Sequence, residues 1–131
     1  MTIELFLADR FTPAESEAER RVLANTDDPR ETDLTGVRVV ELQFPKFTDG
    51  RAFSQAFLLR RRLGFTGEIR ATGDVLIDQV LQMQRSGFTQ AVLAAGQDLA
   101  HARRLLAHYP GFYQGDAVHT APQTAASAAA A

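Results

Sequence analysis

The chain has 131 residues, 45% of them hydrophobic and 23% charged, with a formal net charge of −2 and no cysteine. These values fit one globular domain with a modest core. They exclude disulfides, thiolate-held iron–sulfur clusters and dithiol exchange, and they give no basic excess to attract nucleic acid. No apolar run is long enough to cross a bilayer. Met1–Asp9 lacks the positive leader and small-residue cleavage site of a signal peptide, so cytoplasm is the expected compartment.

Ile3, Leu5 and Leu7 alternate with Glu4 and Phe6, which predicts a short strand. Thr12-Pro13-Ala14-Glu15 reads as a capping box with proline at the first helical position, so a helix is expected from Pro13 to about Arg20. Arg21–Asn25 fits either a continued helix or an extended segment. Asn25–Gly36 is polar and reads as a loop. Val37–Phe44 is rich in β-branched residues and predicts a strand. Val40, Leu42 and Phe44 share one face while Val37 and Val39 begin the other, as in a strand covered on both sides.

Pro45 ends that strand, and Thr48 or Asp49 can cap the following helix. In this helix Ala52, Ala56, Leu59 and Leu63 form a stripe flanked by Phe53 and Phe57. Arg60, Arg61 and Arg62 suit its C-terminal dipole, and Gly64 suits a left-handed stop with Phe65 folding back.

Two later segments resemble each other. Gly64-Phe-Thr-Gly-Glu-Ile-Arg-Ala-Thr-Gly73 matches Gly87-Phe-Thr-Gln-Ala-Val-Leu-Ala-Ala-Gly96. Each starts at a glycine stop, runs through a short strand and ends in a Gly loop with an aspartate, Asp74 or Asp98, placed to cap the next helix. Helices are expected over Val75–Ser86 and Leu99–His108. Strands joined through helices should be parallel, with right-handed crossovers. Duplication of one unit and ordinary strand–helix punctuation both account for the repeat. The expected fold is α/β: a single small domain of repeated βα units with a mostly parallel sheet, either open or like half a barrel. It covers residues 1–119. Gly111–Asp116 can pack back on the body, and the Ala-rich stretch 120–131 reads as a frayed tail.

In parallel α/β folds, ligands bind beyond the carboxyl ends of the strands. The loops meeting there hold Lys46, Asp49, Arg51 and Ser54, then Thr72, Gly73 and Asp74, then Gly96, Gln97 and Asp98. Arg70 can reach that edge or one sheet face. Lys46, Asp49, Arg51, Ser54, Arg70 and Asp74 together form the candidate anion-binding surface. Arginine presents a fixed fork of donors to an oxyanion, and helix N-termini add free N–H groups.

A structural account competes at each position. The three aspartates sit where caps are needed, and Arg51 with Asp74, or Arg70 with Asp78, could pair to hold loops. Lys46 has no evident structural task. Asp74 and Asp78 lie one helical turn apart, where salt bridging competes with a general acid/base role. His101 and His108 are too far apart on their helix for paired ligands on adjacent turns, and His119 lies in the tail, so no metal site is expected. No Gly-x-Gly-x-x-Gly follows a strand. No catalytic residue and no cofactor is named by the pattern.

The run Phe44-Pro-Lys-Phe-Thr-Asp-Gly-Arg51, continuing through Phe65-Thr-Gly-Glu-Ile-Arg-Ala-Thr-Gly-Asp74 to Gln79, resembles bacterial domain-of-unknown-function family 934. The resemblance is strongest over residues 37–88 and weaker to Gln114. Val22–Pro29 also fits the family's pattern. Relatives often carry cysteine where this chain has Ser86, which removes thiol chemistry at that position. The resemblance implies a small partner of assimilatory sulfite reduction, often encoded beside sulfite reductase. Three functions are therefore in view: an accessory protein that supports or binds sulfite reductase, a small enzyme or sensor binding sulfite, sulfate or a phosphate, and a homo-oligomer that covers its own sheet edges.

Overall fold

The computed structural model describes residues 2–108. The expectations for residues 109–119, the tail, and His119 lie outside the described residues. Five strands form one sheet: β1 (Glu4–Leu7), β2 (Arg20–Leu23), β3 (Val39–Phe44), β4 (Glu68–Gly73) and β5 (Gln90–Leu93). All four pairings are parallel, in the order β1-β5-β4-β3-β2. The protein is thus an α/β domain whose sheet is open. Between β3 and β4 lies α1 (Arg51–Phe57), continued by a wider π turn at Leu58–Arg62. Between β4 and β5 lies α2 (Val80–Ser86), and α3 (Leu99–His108) follows β5.

The strands β2, β3, β4 and β5 step across the sheet in chain order, and α1, α2 and α3 pack against one face of it. The core fills the space between. Val40, Leu42 and Phe44 of β3, with Ile69, Ala71, Ala91 and Leu93, meet Ala52, Ala56, Leu59, Val80, Met83 and Ala102. Phe44 packs edge-on to Phe53, their ring centroids 5.2 Å apart. None of the helices in the described residues is long and apolar enough to cross a membrane.

The predicted helix over Pro13–Arg20 is absent. Only Glu17–Glu19 makes a single 3-10 turn, and β2 begins at Arg20. The capping arrangement moves one turn along, to Ser16 and Glu19, where the Ser16 N–H donates to Glu19 Oε1 at 3.1 Å. Glu15 is withdrawn from capping because its carboxylate is held elsewhere. Of Arg21–Asn25, which fits helix or extended chain by sequence, Arg21–Leu23 lie within β2. Asp74 does not cap a helix either. Residues 75 and 76 stay extended, and a 3-10 turn, Ile77–Gln79, leads into α2. Asp98 does cap α3, accepting from the His101 N–H at 3.2 Å.

Gly64 (φ +67°) and Gly87 (φ +109°) both take the left-handed stop expected of the repeat. The strands of the repeat do not superpose, however. Arg70 pairs with Gln90 and Ala71 with Ala91, three places out of step with the sequence match. The match sets Ile69 against Val92 and Arg70 against Leu93, whose side chains leave opposite faces of the sheet. The likeness is therefore punctuation by glycine and aspartate.

Candidate functional site

The carboxyl ends of the strands are tied into one continuous rim. Asn25, after β2, donates through its side-chain amide to Asp49, after β3. The Gln55 amide donates to the carbonyls of Ala24 and Asp27, both at 2.8 Å. Asp74, after β4, accepts from the backbone N–H of Phe47 at 2.8 Å, while Gln79 donates to the Phe47 carbonyl. Gln97, after β5, accepts from the Ile77 N–H at 3.0 Å. Each connection joins one loop to the next, so the loops share a single geometry.

Lys46, Asp49, Arg51, Ser54 and Asp74 belong to this rim and the first turns of α1. Their partners differ from the pairings considered above. Arg51 pairs with Asp49 (2.9 Å), two residues before it, and not with Asp74. That exposed pair holds the Asp49 carboxyl below its usual range through the Arg51 hydrogen bond, and holds the Arg51 guanidinium above its own. Asp49 also accepts the Arg51 backbone N–H at 3.0 Å, so it fixes the start of α1 from just outside Gly50, the N-cap residue. Lys46 is exposed, and its ammonium group makes no ion pair or hydrogen bond among the described residues. Phe47 is 49% exposed although both its backbone polar groups are held.

Arg70 is not at the rim. It lies mid-strand in β4 on the face away from the helices, only 2% exposed. The connection from β1 to β2 must cross the whole sheet, because those strands are its two edges. Four strand spacings amount to about 19 Å. Residues 8–19 make this crossing as a strap and lay Phe11 and Glu15 over the middle strand. Arg70 Nη2 and Nη1 donate to Glu15 Oε1 and Oε2 at 2.8 and 2.9 Å. Its Nε donates to Gln90 at 2.9 Å, and Glu41 stands 3.5 Å from Nη1. The Phe11 ring covers the guanidinium at 4.6 Å and meets Phe6 edge-on. Arg20 Nε comes within 3.0 Å of Glu15 Oε2, but off the direction of a good hydrogen bond, so this buried donor has no aligned acceptor.

The Arg70 hydrogen bonds lower the Glu15 pKa from 4.5 to about 2, against the opposing effect of burial. Burial likewise works against the Arg70 charge, but the Glu15 hydrogen bonds and attraction outweigh it and hold the guanidinium above its usual value. Because Glu15 has a lower pKa folded than unfolded, its contribution is complete above about pH 4.5 and disappears as the pH falls through about 2. Melting temperature followed from pH 5 to pH 2 should therefore fall more steeply in the wild type than in Glu15→Gln. Parallel curves would contradict this assignment.

Glu15 escaped the sequence reading because its partner is 55 positions away. The available signal was a charged residue inside each of two strands, Glu41 in β3 and Arg70 in β4; the register that makes them cross-strand neighbours is set by the fold. The sequence alone suggests only a dipole role for Arg60. It is a clamp at the opposite end of the sheet, donating to the carbonyls of Gly87, Phe65 and Gly67 at 2.9, 2.9 and 2.6 Å. Burial lowers its pKa. No group of three or more metal-ligating side chains occurs among the described residues.

The fold and rim define a small parallel α/β protein with a rigid, aromatic-bearing edge. The sequence pattern of the bacterial proteins of unknown function DUF934 matches residues 22–124, and the chain belongs to that family. No curated protein and no solved structure matches it.

Proposed function

We propose that this chain is an accessory protein of assimilatory sulfite reduction that docks on sulfite reductase through the rim loop at residues 45–51. The family resemblance suggests the pathway. Phe47 carries the docking reading. An aromatic side chain kept outward by two backbone hydrogen bonds loses little freedom when a partner covers it. Lys46 beside it favours a partner pocket edged by carboxylates. A strain lacking this gene should grow poorly on sulfate and normally on cysteine. The wild-type gene should restore growth on sulfate, and Phe47→Ala should restore it only weakly. Normal growth on sulfate after deletion would overturn the proposal.

A second reading, a small oxyanion-binding enzyme or sensor, is favoured at the rim by the exposed Lys46 ammonium, which has no partner among the described residues. Neutralisation of Arg51 by Asp49 weakens it there.

A further inference from the structure

The opposite sheet face carries a second feature, independent of docking at the rim. Two guanidinium groups, Arg70 and Arg20, converge on a single carboxylate, and that carboxylate comes from the strap. We propose that Arg70 and Arg20 form a receptor for a small oxyanion, and that Glu15 is the internal ligand occupying it until an external oxyanion displaces it.

Three observations carry this. First, the receptor is built into the sheet while its occupant is not. Arg70 is fixed through Nε by Gln90 of the neighbouring strand, so its two outer nitrogens stay aimed at the same point whatever the strap does. Second, the occupant leaves a donor over. The carboxylate satisfies both outer nitrogens of Arg70, but Arg20 Nε is buried without an aligned acceptor. A tetrahedral oxyanion offers oxygens in more directions than a carboxylate, and arginine forks suit it. Third, the strap is lightly held. Of residues 8–19, only Phe11, Pro13, Glu15 and Glu19 are even partly buried, and the only regular element is the turn Glu17–Glu19. Beyond Glu15 itself, the Phe11 ring on Arg70 and the Glu19 contacts with Arg38, little holds the strap, so exchanging the Glu15 carboxylate for an external anion costs far less than leaving the arginines unpaired. Once Glu15 is lifted away, Glu41, 3.5 Å from Arg70, and Glu68, held by Gln90, are the carboxylates left near the two cations; neither replaces the two Glu15 hydrogen bonds to Arg70, which an external oxyanion would regain.

Titration calorimetry of the full chain with sodium sulfate at low ionic strength reads the site directly. Wild-type protein should bind weakly, because Glu15 competes from within the chain. Glu15→Gln should bind at least about tenfold more tightly. Adding Arg20→Gln should remove that gain, whereas Lys46→Ala should leave it unchanged. Acetate titrated in parallel tells a carboxylate receptor from one for tetrahedral oxyanions, and a gain with either supports the proposal. If Glu15→Gln does not fold in plain buffer, sulfate should restore its cooperative unfolding transition. In the wild type, saturating sulfate should speed amide hydrogen exchange over residues 8–19 as the strap lifts. No gain in Glu15→Gln, a gain that survives Arg20→Gln or is lost with Lys46→Ala, no rescue of an unfolded variant, or unchanged strap exchange would each overturn the proposal.

Discussion

Arg70→Ala should cost about 3–5 kcal/mol of folding stability, the largest loss expected from any single charged residue in the chain. The reason is what it leaves behind. The Glu15 side chain is only 5% exposed and would keep its charge between strap and sheet with only the poorly aligned Arg20 nearby. Glu41 and Gln90 would each lose the donor they now accept from. A buried charge without its partner is far more costly than no charge at all. Replacing both members, Glu15→Met with Arg70→Met, should recover most of the loss, because a well-packed apolar pair needs no desolvation. Urea denaturation of the three proteins measures this, with unchanged slopes confirming a comparable transition. A loss below about 1 kcal/mol in Arg70→Ala would mean that the pair behaves like an ordinary surface salt bridge.

Gly73→Ala should be the second large effect, at about 3 kcal/mol. Two costs combine. The backbone at Gly73 has φ +98°, a region that side chains oppose. An added Cβ would also come within 2.4 Å of the Phe44 carbonyl oxygen, across the β3–β4 pairing. That oxygen accepts the Asp74 N–H at 2.8 Å, and Asp74 in turn holds Phe47, so the change should loosen the rim as well as the sheet. Gly64→Ala is the control. Its φ is +67°, but nothing lies within 4 Å of the added carbon, so only the conformational cost, about 1 kcal/mol, should appear. Equal losses at the two glycines would show that contact with Phe44 contributes nothing.

What could be read from the sequence follows the range of the interactions. The alternation in β3 showed a strand covered on both sides, and it is: helices cover one face and the strap the other. Glycine stops mark the ends of α1 and α2, and Asp49 and Asp98 mark the starts of α1 and α3, because each acts within a few residues. The strap was misread for the same reason. Thr12-Pro13-Ala14-Glu15 satisfies a local capping rule, but the local gain is small beside that of pairing a buried arginine, and Glu15 goes to Arg70. Asp74 was likewise assigned to the nearest helix, when its partner is Phe47, 27 positions back. Lys46, Asp49, Arg51 and Asp74 were placed at one edge by the rule that parallel strands end together. Their individual pairings, and the face chosen by Arg70, depend on register, which no local pattern states.

The docking claim is tested most directly by the affinity of purified sulfite reductase for this protein, measured by calorimetry or surface binding with wild type and Phe47→Ala side by side. The wild type should bind the reductase saturably, and Phe47→Ala should weaken binding at least about thirtyfold, the loss of one aromatic anchor of about 2 kcal/mol, while melting at the wild-type temperature. No binding by the wild type, or equal binding by the two proteins, would contradict the account.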